Sequence, residues 1–119
     1  KNHNCLGYTL SSSVGAERWA FGRGGKASVS ITGTLRANNG DVLVIAGVAG
    51  LGIIYPPTFL VAREIRAGRL VPLALDHEPI VLDGVFAVFP AGRRLPAKVR
   101  VAIDFFAEKL GGVPPWDRS

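Results

Sequence analysis

The chain has 119 residues, of which 48% are hydrophobic, and it carries 14 lysines and arginines against 9 acidic residues, a formal net charge of +5. This length and apolar content predict one α/β domain with a buried core and argue against a disordered chain. The basic residues are dispersed, with no run longer than two, so the charge does not by itself indicate a nucleic-acid surface.

The amino-terminal part of the sequence predicts three strands. Short apolar or alternating runs mark them at residues 5–10, 18–22 and 28–32. A glycine-rich turn at residues 22–26 separates the last two, which are predicted to pair as a hairpin. In the third strand, Val29 and Ile31 alternate with polar residues and are predicted to point inward.

A polar connection, residues 33–39, leads to an apolar helix at residues 40–49. Asn38 or Asn39 can cap the first turn of this helix, and Gly50 follows it in the manner of a helix terminator. Apolar residues surround most of the helix circumference, which predicts a helix buried on most sides.

The later elements alternate between extended and helical patterns. The sequence predicts a short buried parallel strand at 52–55, a helix from Pro57 to Ala67, an edge strand at 70–75, extended structure at 80–89 with a bend at Asp83-Gly84, and a last helix at 95–110. The apolar stripe of the last helix is wide for the preceding elements to cover, which predicts exposed apolar surface and self-association. The stripe consists of Val99, Ala102, Ile103, Phe106 and Leu110.

One cysteine excludes an intrachain disulfide and suits a reducing, cytoplasmic compartment. Cys5 lies in the first apolar run, where a small core residue is expected. No apolar run has the length of a membrane helix, and the first residues do not resemble a signal peptide, so no membrane partner is expected. The chain begins with Lys1 and contains no methionine, which suggests an excised fragment.

The strongest candidate site combines Thr32-Gly33-Thr34 with Asn38-Asn39-Gly40. This pattern places hydroxyl groups and a helix N-terminus at a strand end, where free N–H groups and the helix dipole favour an anion. The alternative is that Thr34 and the two asparagines only cap and turn the chain.

Other motifs argue against an enzyme, a cofactor site and a metal site. Residues 50–52 place their glycines after a helix, whereas a dinucleotide site needs them between strand and helix. The turn at 22–26 lacks the spacing of a phosphate loop, and His3 and His77 have no partner at metal-ligand spacing. No nucleophile elbow surrounds Ser11-Ser12-Ser13, and no acid–base couple suits catalysis.

Several short segments occur in an order typical of one family. They are His3-Asn4-Cys5-Leu6, Trp19-Ala20-Phe21, 38–41 with 49–53 and Pro57, 68–71, 88–90, 98–100, 103–105 and Pro114-Pro115-Trp116. Together they resemble the effector-binding domain of LysR-type transcriptional regulators over nearly the whole chain.

The resemblance implies a fold like that of a type 2 periplasmic binding protein, in which two Rossmann-like lobes with mixed sheets flanked by helices hold a small effector between them. Residues 1–119 would form an incomplete two-lobe domain. Residues 5–82 would belong to the second lobe, 83–110 would be the return crossover and a helix of the first lobe, and 111–119 would be a tail. The opening half of the first lobe and the DNA-binding winged helix-turn-helix are expected to be absent.

The resemblance therefore implies an effector-sensing domain that reaches DNA only through the absent helix-turn-helix. The residues predicted to contact the effector are Thr32, Gly33, Thr34, Asn38 and Asn39, with Arg36 supplying charge for a carboxylate. A solute-binding protein of a transporter, which shares the two-lobe fold, is the alternative. An α/β enzyme is a third hypothesis, without an acid–base couple to support it.

Overall fold

A computed structural model describes residues 2–81, 84–90 and 94–118. The chain divides into two compact units, Lys1–Val81 and Leu82–Ser119. In chain order the elements are β1 (Gly7–Tyr8), β2 (Arg18–Phe21), β3 (Ala27–Ser30), β4 (Arg36–Ala37), α1 (Gly40–Val48), α2 (Thr58–Arg66) and α3 (Ala97–Leu110). This mixture of strands and helices confirms the predicted α/β class.

The first unit is built on parallel pairing around the segment that contains β1. β1 pairs with β4 in parallel, with Gly7 opposite Arg36. On the other side, Cys5 forms a parallel bridge with Ile53, and N–H···O bonds of 2.8 Å flank that bridge. The strand predicted at residues 52–55 is therefore present in the predicted parallel sense, although it amounts to a single bridge.

Alternating residues of the parallel segments enter two different cores. Leu6 is 1% exposed and packs against α1, whereas its neighbour Cys5 packs against the hairpin. Likewise, Ile54 packs on the side of α1, and Ile53 packs on the side of the hairpin. Because successive side chains of an extended segment point to opposite faces, α1 covers one face of these segments and the hairpin covers the other. The buried side chains are Leu6, Leu43 and Ala46 in the helix-side core, and Trp19, Phe21 and Ile31 in the hairpin-side core.

β2 and β3 form the predicted antiparallel hairpin, joined by a 3₁₀ turn at Arg23–Gly25. Of the two residues predicted to point inward, only one does so: Ile31 is 8% exposed, but Val29 is 55% exposed. The prediction for Val29 is wrong because the hairpin packs through β2, in which Trp19 and Phe21 are buried, while most of β3 faces solvent.

Helix α1 has the predicted start and end. Asn39 caps it, because its side-chain oxygen accepts a hydrogen bond of 2.8 Å from Asp41 N. At the other end, Gly50 has a φ of +76° and Leu51 N bonds to Ala46 O at 3.0 Å, which is a Schellman motif.

The prediction that α1 is buried on most sides is wrong. Leu43 and Val44 are buried, but Val42, Ile45 and Val48 are exposed, Ile45 by 69%. The helix is apolar all round, yet only the face that packs into the helix-side core is covered. The opposite face is an apolar surface of the kind that marks a protein interface.

Helix α2 begins directly after Pro57 and ends before Gly68, as predicted. It closes in a second Schellman motif, in which Arg69 N bonds to Glu64 O at 2.9 Å. The Arg69 side chain also donates a hydrogen bond of 2.5 Å to the Glu64 carboxylate. That hydrogen bond, together with nearby positive charge, lowers the pKa of the Glu64 carboxyl.

The strand predicted at residues 70–75 is absent. Its apolar residues Val71, Leu73 and Leu75 are exposed rather than buried. Pro72 has no N–H to donate, and no strand among the described residues of the first unit pairs with this segment. Residues 80, 81 and 84–89 also form no strand, and the bend predicted at Asp83 lies outside the described residues.

The second unit contains α3, which begins after Pro96 and ends at Leu110, close to the predicted bounds. No residue of α3 is buried. Phe105 and Phe106 contact each other edge to face, with ring centroids 5.7 Å apart, and both are exposed. The helix therefore keeps the exposed apolar surface that the sequence predicts.

Candidate functional site

The predicted site residues Thr32, Gly33 and Thr34 lie just before β4, at the amino ends of the parallel segments. Asn4 organises this edge. Its Nδ2 donates to Thr34 Oγ1 at 2.9 Å and to Leu51 O at 2.6 Å, while its Oδ1 accepts from Thr34 N at 2.8 Å. The amide N–H and the hydroxyl oxygen of Thr34 are thus engaged within the fold, which fits the structural alternative for this residue.

Asn38 and Asn39 lie just after β4, at the carboxyl ends of the parallel segments. The Asn39 side chain accepts a hydrogen bond from Asp41 N, one of the N–H groups at the start of α1 that an anion would otherwise bind. The extended chain from Thr34 to Asn38 spans about 13 Å. The structure therefore separates the two halves of the predicted site onto opposite edges, and effector contact by either half stays a prediction.

The loop that follows β1, residues 9–17, and the first residue of β2 surround an open depression at the carboxyl edge. Its volume is about 280 Å³, and its lining residues are Thr9, Ser11, Ser12, Gly15, Ala16, Glu17 and Arg18. Thr9 N bonds to Ala37 O at 2.9 Å, so the depression opens where β1 and β4 both end. Ligands of open α/β sheets bind outside the carboxyl ends of the strands, which makes this depression a candidate binding site of the first unit.

Charges around the depression favour an anion. Arg36, the predicted charge-supplying residue, donates from Nη1 to Glu17 Oε1 at 3.0 Å at the margin. Arg18 lines the depression and donates from Nη1 to Ser28 Oγ at 3.3 Å. Two guanidinium groups and one carboxylate therefore lie in or beside the depression, and each guanidinium has further N–H donors in a geometry that suits carboxylates.

The depression loop is held in place by its own hydrogen bonds. Ser11 Oγ accepts from Val14 N at 3.0 Å. Ala20 N, in β2, donates to Ser13 O at 2.8 Å, which attaches the loop to the hairpin. The hydroxyl groups of the loop and the guanidinium group of Arg18 are thus presented from a fixed backbone, which lowers the entropic cost of binding a ligand.

Two titratable groups lie among the hairpin-side side chains. Burial raises the pKa of the Tyr55 phenol, and the N–H of Ile80, which donates to the phenolic oxygen at 2.7 Å, acts in the opposite direction. Burial also raises the pKa of the Cys5 thiol. Cys5 therefore has the character of a packed side chain rather than of a reactive nucleophile.

The depression was not predicted from the sequence, because the serines at 11–13 were interpreted only as possible nucleophiles. The available signal was the position of this serine-rich loop directly after an apolar strand. In a parallel sheet such a loop lies at the carboxyl edge, but the parallel pairing of β1 becomes certain only in three dimensions.

In the described ranges, no three histidine, cysteine or acidic side chains are grouped so that they could hold a metal ion. No helix there combines the length and apolar character needed to cross a membrane.

Similar proteins show the family of this chain. A family model described as the LysR substrate binding domain matches residues 1–111. The chain is 39% identical, over 81% of its length, to the HTH-type transcriptional regulator PtxR of Pseudomonas aeruginosa. It is 29% identical, over 92% of its length, to the regulator CrgA of Neisseria meningitidis serogroup B. These matches cover 31% and 36% of the two relatives, so the chain spans about a third of their length.

Solved structures agree in fold. The regulatory domain of CrgA, a LysR-type transcriptional regulator from Neisseria meningitidis, superposes with a TM-score of 0.65 at 27% identity. The match covers 92% of this chain and 52% of that domain. A further structure of CrgA gives a TM-score of 0.59 at 27% identity, over 92% of this chain and 37% of the matched chain. The regulatory-domain fold expected from the resemblance is thereby confirmed.

Proposed function

Because the chain belongs to the LysR substrate-binding domain family, we propose that it is the effector-sensing part of a DNA-binding transcriptional regulator. The observation that carries this proposal is the polar depression at the carboxyl edge of the parallel segments, which has Arg18 and Glu17 in its lining and Arg36 at its margin. The curated relatives reported above are named transcriptional regulators, which favours this function over a solute-binding protein of a transporter. A family of regulators likewise gives no support to the enzyme hypothesis.

The proposed effector is a small carboxylate or another small anion. It would be held by hydroxyl groups of Ser11 and Ser12 and by the guanidinium groups of Arg18 and Arg36. Charge-assisted hydrogen bonds from arginine to a carboxylate are stronger than neutral ones, so these two arginines would contribute most of the affinity. The earlier predicted contacts Thr32, Gly33, Thr34, Asn38 and Asn39 remain candidates, and the experiment below compares them with the arginines.

Regulation would follow from a shift in population. An effector that binds one arrangement of a two-lobe domain more tightly than another shifts the equilibrium by its difference in affinity. We propose that residues 5–82 belong to the second lobe, that 83–110 return to the first lobe, and that 111–119 form a tail. DNA contact would come from a helix-turn-helix segment outside this sequence, in the cytoplasm, with no cofactor beyond the effector.

Removal of either arginine is expected to weaken effector binding about tenfold, the lower end of the effect of a charge-assisted hydrogen bond. The measurement is a calorimetric titration of the full-length regulator with a panel of small mono- and dicarboxylates, followed by titration of Arg18→Ala and Arg36→Ala with the best binder. Arg66→Ala is the matched control, because Arg66 is an exposed arginine of α2 that does not line the depression.

Equal weakening in Arg66→Ala would mean that overall charge, rather than the depression, attracts the ligand. The variants Thr34→Val and Asn38→Ala decide between the two candidate sites. A loss confined to those variants would transfer the site to the residues flanking β4 and would contradict the depression.

Self-association is the second part of the proposal. Its support is the exposed apolar face of α1, formed by Val42, Ile45 and Val48, and the exposed apolar residues of α3. We expect light scattering over a range of concentrations to give the mass of a dimer or a larger assembly, and Ile45→Glu to lower that mass without unfolding the chain, because Ile45 is largely exposed. Leu10→Glu, at an equally exposed apolar residue outside α1, is expected to leave the mass unchanged. A folded monomer at every concentration would contradict this part of the proposal.

A further inference from the structure

Tyr55 occupies a junction between three segments of the first unit. Its ring stacks on Phe21 with centroids 5.1 Å apart and an interplanar angle of 10°, and it meets Trp19 edge to face at 5.5 Å. Its hydroxyl group donates to Ala20 O at 3.3 Å and accepts from Ile80 N at 2.7 Å. The aromatic ring thus packs against the hairpin, while the hydroxyl group joins the hairpin to a distant part of the chain.

These contacts belong to a series of hydrogen bonds that runs from the depression loop through Ala20 and Tyr55 to Ile80. Ser13 O, in the depression loop, accepts from Ala20 N at 2.8 Å. The carbonyl of the same Ala20 accepts from the Tyr55 hydroxyl, which in turn accepts from Ile80 N. Three bonds therefore connect the loop that lines the depression to Ile80, one residue before the last residue of the first unit, Val81.

The series of hydrogen bonds ends in a short segment, Glu78–Ile80, which we call the exit segment. It is attached to the hairpin by the bond from Gly22 N to Glu78 O at 2.7 Å and by a bridge between Phe21 and Pro79. Residues 71–79 are otherwise exposed. Because few contacts hold the exit segment, the bond to Tyr55 has a large share in fixing it.

The protonation state of Tyr55 agrees with this role. Burial raises the pKa of its phenol, so the group keeps its proton at neutral pH. A neutral phenol can donate to Ala20 O and accept from Ile80 N at the same time, whereas a phenolate can only accept.

We propose that Tyr55 is a positioning residue that couples the depression loop to the exit segment, so that a change in the loop alters how firmly Ile80 is held. The biological meaning of this coupling, transmission of effector binding to the end of the first unit, rests on the proposed function. The coupling itself is a property of the described contacts and can be measured without an effector.

The first test removes only the hydroxyl group. In Tyr55→Phe the ring contacts remain, but the Ile80 amide loses its acceptor, so its hydrogen exchange measured by NMR on the whole chain is expected to become about fivefold faster. The matched control is Tyr8→Phe, because Tyr8 packs against the helix-side core, on the other face of the parallel segments. The Leu6 amide, within the parallel segments, is expected to keep its exchange rate in both variants and reports whether the fold is intact.

The second test measures the coupling. Ser11→Ala removes the acceptor of Val14 N and loosens the depression loop. Exchange at Ile80 is expected to change about twofold or more when Ser11→Ala is made in the natural sequence, and to change less when it is made together with Tyr55→Phe. A merely structural role of Tyr55 would lower stability but would leave the two effects additive.

An equal effect of Ser11→Ala in both backgrounds, or no effect in either, overturns the proposal. Unchanged exchange at Ile80 in Tyr55→Phe does so as well. Because no effector enters these measurements, their failure leaves the calorimetric test of effector binding unaffected, and a failed calorimetric test leaves the coupling standing.

Discussion

Replacing Gly33 with alanine is expected to lower the free energy of unfolding by about 3 kcal/mol, the upper end of the usual cost of overpacking. A Cβ atom built at this position overlaps the carbonyl oxygen of Cys5 and lies 3.0 Å from Asn4 Oδ1. The Cys5 backbone cannot yield, because Cys5 N bonds to Thr32 O at 3.0 Å and the residue also forms the bridge to Ile53. The damage would therefore spread to both neighbours of the central parallel segment.

The measurement is chemical denaturation of the whole chain, with Gly68→Ala as control. Gly68 has a φ of +69° and open space around a built Cβ, so its replacement tests backbone conformation without a steric clash. That variant is expected to cost about 1 kcal/mol. If Gly33→Ala is no more costly than Gly68→Ala, the close approach of Gly33 to Cys5 does not constrain the fold.

Replacing Asn4 with alanine is expected to cost about 2 kcal/mol, since three hydrogen bonds are lost and each contributes about 1 kcal/mol, part of which water restores at an exposed edge. Asn4 connects Thr34 with Leu51, and thereby the segments on either side of its own. Without the Asn4 side chain, Thr34 and Leu51 are no longer joined at the amino ends of the parallel segments. The Thr34 amide also loses its acceptor, so its hydrogen exchange is expected to become faster.

Asn38→Ala is the matched control for Asn4→Ala, because Asn38 is an exposed asparagine at the opposite end of β4. Exposed substitutions of this kind usually change stability by less than about 0.5 kcal/mol. Equal losses from the two asparagines would show that Asn4 does not link the parallel segments.

Features set by local sequence were predictable from the chain alone. The cap at Asn39, the helix ends at Gly50 and Gly68 and the hairpin turn at Arg23–Gly25 depend on residues within one or two turns of each other. Such signals act in the same way in any fold. The predicted α/β class followed because these local elements alternate along the sequence.

Features that depend on distant partners were harder to predict. The pattern at residues 70–75 resembles a strand, but a strand exists only where a neighbour offers paired N–H and C=O groups. Val29 and the outer residues of α1 have the apolar character of core residues, yet the described structure places nothing over them. An apolar side chain can pack in a core, but only the fold decides whether a neighbouring segment covers it.

The candidate site was predictable in part for the same reason. The polar residues on both sides of β4 were visible in the sequence, but their separation onto opposite edges follows from the direction of the strand. The depression combines residues of one loop with Arg36, which lies far along the chain, and the link between them is the ion pair with Glu17.

The two cores lie on opposite faces of a single layer of backbone, and neighbouring residues of that layer belong to different cores. Selection can therefore act on the two faces separately. Substitutions around Trp19 and Phe21 can change the packing next to the depression loop, while Leu6, Leu43 and Ala46 keep α1 packed on the opposite face. A family built on such a layer can vary the surroundings of the proposed effector site without changing the helix packing on the opposite face.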